Sequence, residues 1–292
     1  MKIRQIETIP VSVPVRPDVA ITSSLGSHTH SPFLLLKVHT DEGLIGLGEV
    51  SSTARWSGED HATAQRVIRE YLAPALVGEE ALDIEAAVRK MGRALAGNPF
   101  TKAGVELALW DILGKAANLP LYRLLGGAVR EVVPLKFSIS GASPSKAAEL
   151  ARWAAERGFK TMKVKVAMGP DDVARVHAVR EAIGDDIRLG VDANGGWSPR
   201  EAVQALRQMM LYRIFFAEQP VPPLDVQWMA DVRRQTELPV MADESLYSLQ
   251  DAMALARAGA ADMFSIYVGK SGLTAARKIG RASCRERVSK QV

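Results

Sequence analysis

Five short, mostly apolar segments in the second half of the chain carry charged residues at or near their C-terminal ends. They are Thr161-Met-Lys-Val-Lys165, Leu189-Gly-Val-Asp-Ala-Asn194, Phe215-Phe-Ala-Glu218, Pro239-Val-Met-Ala-Asp-Glu244 and Phe264-Ser-Ile-Tyr-Val-Gly-Lys270. The steps from Lys163 to Asp192, Glu218, Asp243 and Lys270 are 29, 26, 25 and 27 residues. One strand-plus-helix unit of an α/β barrel has about that length, since roughly 250 residues make eight units. The spacing therefore predicts three carboxylates between two groups of lysines, all on one rim. Asp192, Glu218 and Asp243 offer hard oxygen donors, which suit Mg²⁺, or Mn²⁺ in its place. No cysteine or histidine stands at these strand ends, which argues against zinc. Any one of these acids alone could simply cap the helix that follows it. Three at unit spacing, bracketed by lysines, point to a metal site.

Lys163 and Lys165 are two apart and share one face of a strand. A solvated edge strand would also carry such a pair, but Met162, Val164 and Val166 make the opposite face apolar. Two crowded ammoniums repel, and burial adds to this, so their pKa should fall toward that of a base working near neutrality. Lys270 is expected to approach from the other side, with the metal between. A base on either face of one carbon, beside a cation that polarises the adjacent carboxylate, is an arrangement for removing an α-proton. Asn194 shares the side of Asp192 and could orient a ligand oxygen. Glu244 points away from Asp243 in an ideal strand, so Asp243 is expected as the ligand and Glu244 as a supporting group.

Regular alternation must position these residues. Strands are expected at 133–139, 161–167, 188–193, 214–218, 239–243 and 263–269. Helices are expected between them, at about 145–157, 172–184, 199–211, 226–235 and 248–258. Ser198-Pro199-Arg200-Glu201 combines an N-cap, a proline at the first helical position and a capping-box glutamate, and Ser143-Pro144 repeats the first two signals. Such alternation implies a parallel sheet, whose function sits at the C-terminal strand ends. Before residue 130 the pattern differs. Phe33–His39 and Leu44–Glu49 flank the turn-like Thr40-Asp-Glu-Gly43, and helical periods follow at 62–76, 82–95 and 100–117. This is an α+β unit. Residues 17–32 form a polar loop with His28 and His30, where a substrate lid competes with plain solvated polarity.

Hydrophobic content of 47% and charged content of 24% are ordinary for a soluble globular protein. No apolar run approaches a membrane span. The single cysteine, Cys284, makes an internal disulfide impossible and the cytosol the default compartment. The net charge of +4 is concentrated at the end, because residues 281–292 alone carry +3. It implies no nucleic-acid or membrane partner.

The chain resembles the enolase superfamily, in particular the muconate-lactonizing (muconate cycloisomerase) subgroup of the mandelate racemase/muconate lactonizing enzyme family. The matching motifs are Lys163-Val-Lys165, Val191-Asp-Ala-Asn194, Glu218-Gln-Pro220, Ala242-Asp-Glu-Ser245 and Gly269-Lys-Ser-Gly272. Gly97–Gly104, Ala108–Lys115 and Leu124-Leu-Gly-Gly127 match in the first part. The resemblance implies an α+β capping domain (1–130) and a modified (β/α)7β TIM-type barrel (131–279), with the 17–32 loop closing on substrate. It implies Asp192, Glu218 and Asp243 as Mg²⁺ ligands, Lys165 as one base, Lys163 as its pKa partner and Lys270 as the opposing base or cation. It implies a small carboxylate substrate and a homo-oligomer when full length. The reaction class is proton abstraction α to a carboxylate through an enolate. Cycloisomerisation ranks first on similarity of the capping domain. Dipeptide or N-acylamino-acid epimerisation and o-succinylbenzoate synthase-type elimination share the same half-reaction.

Two departures stand out. Leu273 occupies a position where the family often has a second glycine. Residues 280–292 show no apolar period and do not look like the family. They imply a barrel truncated after strand six, which would leave that strand as an open edge and the chain poorly stable and weakly active. A degenerate barrel that only binds metal or ligand is the corresponding non-enzymatic reading.

Overall fold

The computed structural model describes residues 1–285 and 289–291. The chain begins β1 (Ile3–Pro14), β2 (Ile21–Ser23), β3 (Gly26–His28), β4 (His30–Thr40) and β5 (Ile45–Val50). Helices α1 (Ala54–Ser57), α2 (His61–Val67), α3 (Ala73–Leu76), α4 (Ile84–Ala94), α5 (Pro99–Ala116) and α6 (Leu121–Leu124) follow, with a π-helical turn at Ile68–Leu72. Strand and helix then alternate: β6 (Phe137–Ile139), α7 (Pro144–Glu156), β7 (Thr161–Lys165), α8 (Asp172–Ile183), β8 (Arg188–Asp192) and α9 (Pro199–Met209). The series continues with β9 (Ala217–Glu218), α10 (Val226–Gln235), β10 (Val240–Ala242), α11 (Leu249–Ala258), β11 (Met263–Ser265), α12 (Val268–Arg285) and β12 (Ser289–Gln291).

Two compact units emerge. The first comprises residues 1–14, 30–132 and 267–278, and the second 15–29, 133–266 and 279–292. The 15–29 segment belongs to the second unit, and the segment carrying Lys270 to the first.

In the first unit, β1, β4 and β5 form an antiparallel sheet in the order β1-β4-β5. Leu34, Leu36 and Val38 alternate along β4 and are buried, the period-two pattern of a sheet with one covered face. Helix α5 lies directly on β5. A Cβ at Gly46 would stand 2.1 Å from the Ala108 carbonyl oxygen, and one at Gly48 would stand 2.2 Å from that of Gly104. These glycines let a helix backbone approach a strand more closely than any side chain would permit.

In the second unit, β6 to β12 form one parallel sheet in sequential order. The pairings Ser138↔Lys163, Lys165↔Asp192, Asp192↔Glu218 and Met241↔Glu218 set the register. Alternation divides the strands into two faces. Met162, Val164, Leu189, Val191, Ala217, Val240 and Phe264 join the core shared with the helices. Phe216, Met241 and Met263 form a separate apolar cluster on the opposite face. There Gly190 leaves room for the Phe216 ring, which would meet an added Cβ at 2.3 Å. The charged strand ends lie one step along from this apolar floor, on the same face. The capping box predicted at Ser198 is present in both directions with Glu201. Ser143 makes no capping bond, and its hydroxyl meets that of Ser145 instead.

Two expectations need correction. β11 stops at Ser265, so Lys270 is not on a strand. It sits in the first helical turn of α12, before a kink at Gly272 (φ 75°, ψ 161°). The turn is closed by the Lys270 and Ser271 amides donating to the Tyr267 carbonyl at 3.0 and 3.1 Å. Nor is β11 an open edge, because β12 pairs with it in parallel, Met263 opposite Ser289 and Phe264 opposite Lys290. Residues 280–285 continue α12. Its buried stripe runs through Ala276, Ile279 and Ser283. One member is a serine, so no apolar period shows in the sequence. Residues 286–288 and 292 of the tail lie outside the described residues.

Candidate active site

Parallel register brings Lys163, Lys165, Asp192 and Glu218 side by side on three neighbouring strands. The Lys163 ammonium donates to Glu218 Oε1 at 2.6 Å and pairs with Asp192 Oδ2 at 2.7 Å. Lys165 donates to the same Asp192 oxygen and to Asn194 Oδ1, both at 2.6 Å. Asn194 passes the network on, its Nδ2 donating to Glu244 Oε1 at 2.7 Å. Its backbone amide donates to Asp192 Oδ1 at 2.9 Å. Asp243 and Glu244 lie just past the end of β10, where strict alternation no longer holds, so Glu244 can face Asn194. Asp192, Glu218, Asp243, Glu244 and Lys163 are all buried.

Burial and charge set the protonation of this cluster. Burial alone would raise the Asp192 carboxyl, but the Lys163 and Lys165 ammoniums outweigh it and hold the group well below the usual carboxylate range. Burial raises Glu218 most, and together with repulsion from Asp192 and Asp243 it outweighs the help from Lys163. Glu244 is pushed up to about 8 by burial and by Asp243 and Asp192, and its Oε2 has no hydrogen-bond partner among the described residues. The expected fall in the Lys163 pKa is not found. Burial does lower it, but Asp192 and Glu218 together carry it well above the ordinary lysine value. The countercharge is in direct contact, and Coulomb attraction at that range exceeds what crowding removes.

The donor set suits a hard divalent cation: oxygens only, buried, and carrying more negative charge than the two neighbouring lysines balance. Among the described residues no three Asp, Glu, His or Cys side chains converge on one point. Lys163 gathers Asp192 and Glu218 instead, an ammonium standing between two of the carboxylates assigned as metal donors.

Two contributors escaped the sequence reading. Gln219 is fully buried with φ +35°, directly after Glu218. Its Oε1 accepts from the Asp243 and Ser245 amides at 3.1 Å, and its Nε2 donates to Ser245 Oγ at 2.8 Å and the Val221 carbonyl at 3.0 Å. Gln219 thereby fixes the turn bearing Asp243. Ala167 and Asn194, each two residues beyond a strand end, also have positive φ. Three left-handed non-glycine residues on this one rim are the strain that functional sites concentrate. The signal for Gln219 was its place inside the Glu218-Gln-Pro220 motif. Lys136, just before β6, is the second. The residue is exposed, yet desolvation of its ammonium and the nearby Lys163 charge lower it to about 8.

The 15–29 segment reaches the same rim. Ser24 Oγ donates to the Ala193 carbonyl at 2.8 Å, and the Thr22 amide donates to Ser140 Oγ at 2.8 Å. His28 lies half-buried in β3, whereas His30 starts β4 in the first unit. Lys270 is completely buried and belongs to the first unit.

Residues 5–126 match the mandelate racemase / muconate lactonizing enzyme N-terminal domain, and residues 146–286 match the family described as enolase C-terminal domain-like. The chain is 36% identical to the N-succinyl-L-Arg/Lys racemase of Bacillus cereus, over 93% of its own length and 74% of that protein. The crystal structure of the dipeptide epimerase from Cytophaga hutchinsonii, complexed with Mg and the dipeptide D-Ala-L-Val, superposes with a TM-score of 0.95 at 35% identity, covering 100% of this chain and 79% of that one. Muconate cycloisomerase 1 of Pseudomonas putida is 32% identical over 88% of this chain and 70% of that protein. No helix among the described residues is long and apolar enough to cross a membrane.

Proposed function

We propose how this chain, which belongs to the mandelate racemase / muconate lactonizing enzyme family of the enolase superfamily and is an enzyme of the isomerase class, carries out its reaction. It moves a proton at the carbon α to a carboxylate, and its substrates are N-acylated amino acids or dipeptides. Epimerisation or racemisation thus takes precedence over cycloisomerisation. The racemase and epimerase relatives support this order, being more similar to the chain than the cycloisomerase. The parallel strands are those of the family's (β/α)7β barrel, and the single cysteine fits a cytosolic enzyme.

The reading rests on one observation: Lys163, Lys165, Asp192 and Glu218 are joined in a single buried network at the ends of three strands paired in register. Asp192, Glu218 and Asp243 would hold Mg²⁺, which when bound supplies a positive field to the substrate carboxylate as its α-carbon becomes nucleophilic. Lys165, as the free amine, takes the α-proton. The C–H electron pair moves into the carboxylate to give an enolate, and the Lys270 ammonium returns a proton to the opposite face. In the reverse direction the two lysines exchange roles. Lys163 keeps its proton and stabilises the carboxylate cluster. Asn194 and Glu244 hold Lys165 in place, and Ser24 ties the 15–29 segment against the rim to keep water from the enolate.

Solvent-deuterium incorporation at Cα of N-succinyl amino acids and dipeptides tests this function. Mg²⁺-dependent exchange that both Lys165→Ala and Lys270→Ala abolish for at least one epimer is the expected result. Lactone formation from muconate without Cα exchange in any acyl-amino acid would restore the cycloisomerase reading.

A further inference from the structure

Glu106 is a buried carboxylate in α5 of the first unit, remote in sequence from the charged strand-end motifs. Its Oε1 accepts from the Thr274 amide at 2.7 Å and from Trp110 Nε1 at 3.0 Å. Its other oxygen lies against Gly272, where an added Cβ would approach Glu106 Oε2 to 2.1 Å. Gly272 has φ +75°, a conformation that side-chain-bearing residues rarely adopt. One carboxylate therefore caps the helix that restarts at residues 273–274 and occupies the space that makes residue 272 a glycine.

The segment 267–272 carries Lys270. On its other side Tyr267 stacks on Trp56 (centroids 6.0 Å apart), meets Phe100 edge-on at 6.1 Å, and shares a 2.6 Å hydrogen bond with Ser51. A Cβ at Gly269 would collide with the Tyr267 ring at 2.6 Å. Lys270 is thus held between two fixed points, an aromatic one three residues before it and a carboxylate one two to four residues after it. All of these contacts are within the first unit.

We infer that Glu106 is the positioning residue for Lys270: it sets the backbone turn at Gly272–Thr274 and with it the direction in which the Lys270 ammonium is presented. The inference deepens the two-base reading and rests on it. A carboxylate suits this task because it accepts two donors at once in a buried site, and it satisfies the Thr274 N–H at the start of the resumed helix. Leu273, where the family often has another glycine, is compatible with this, because the carboxylate contacts fall on residues 272 and 274.

The experiment compares the wild-type chain with Glu106→Ala, Glu106→Gln, Gly272→Ala and Lys270→Ala. With Mg²⁺ present, deuterium exchange is followed separately for the two Cα epimers of one exchanging acyl-amino acid or dipeptide. A displaced Lys270 affects the epimer whose proton it handles, so Glu106→Ala is expected to slow that epimer by about 10–100-fold in kcat with KM unchanged. The affected epimer is the one that Lys270→Ala abolishes, and the other should change less than twofold. Glu106→Gln, whose amide oxygen can still accept from the Thr274 amide, should recover most of the loss. Backbone hydrogen exchange of peptides spanning 268–278 provides a readout independent of turnover: protection is expected to fall in Glu106→Ala and Gly272→Ala but not in Lys270→Ala. Equal slowing of both epimers, or unchanged protection at 268–278 in Glu106→Ala, overturns the inference while leaving the two-base reading intact. If Lys270→Ala leaves both epimers exchanging at the wild-type rate, the base assignment falls and the inference with it.

Discussion

Buried carboxylates are neutralised in two different ways in the two compact units. In the first, Glu59 accepts from the Phe100 and Thr101 amides and the Thr101 hydroxyl, at 3.0, 2.9 and 2.6 Å. Glu106 accepts from the Thr274 amide and the Trp110 indole. Both are satisfied by fixed dipoles, and three of these, the Phe100, Thr101 and Thr274 amides, open helices. In the second unit, Asp192 and Glu218 are held by ammonium groups, and Glu218 and Glu244 are pushed upward in pKa by burial and by the acids around them. The first arrangement is complete and static. The second keeps surplus negative charge on one rim, available to another cation, and its own cations are the Lys163 and Lys165 ammoniums. A carboxylate paired with backbone amides holds the fold together, whereas one paired with lysines can exchange partners during a reaction.

The largest effect that would break this contrast is on turnover. Lys165→Ala removes the amine bonded to both Asp192 and Asn194 and should lower Cα exchange by about 10²–10⁴-fold, the usual range for a lost general base. Urea unfolding of this variant should stay close to wild type, and a variant that loses stability and activity together would place Lys165 with the structural acids. Glu59→Ala should do the opposite. It strands the donors at the start of α5 and should cost about 2–4 kcal/mol in chemical unfolding, while the surviving folded fraction keeps its Mg²⁺ dependence. Mg²⁺ itself should raise stability by about 2.7 kcal/mol at a hundredfold excess over its Kd. Asp192→Asn should erase that increment and Glu59→Asn should not; erasure by both would show that the two kinds of carboxylate do not differ in kind.

The strand–helix alternation was legible because side-chain period follows backbone geometry closely. The helices expected at 145–157, 172–184, 199–211, 226–235 and 248–258 lie within one or two residues of α7 to α11. The charged segments at 161–165, 189–194 and 215–218 lie beside one another because parallel strands pair in sequence order. Legibility failed where backbone conformation rather than side-chain pattern decides. Tyr267-Val-Gly-Lys270 reads as the end of a strand, yet turn hydrogen bonds to the Tyr267 carbonyl make it helical. The tail at 280–285 hides its helix because Ser283 occupies a buried position. Gln219 and Glu106 act through hydrogen bonds to backbone amides at residues 243, 245 and 274, and no local pattern foretells a partner at that distance.

The sequence by itself determined which residues share a strand face, which segments alternate, and the oxygen-only chemistry of Asp192, Glu218 and Asp243. These follow from residue type and spacing, which are local. The tertiary structure alone decided that Lys163 stands between Asp192 and Glu218 and keeps its proton more tightly than a free lysine. It also decided that Glu244 meets Asn194 and that Lys270 is set by a carboxylate 164 residues earlier in the chain. Charge pairing depends on distance in space, and a pKa depends on which neighbour burial brings within reach, so neither could be read before the chain was folded.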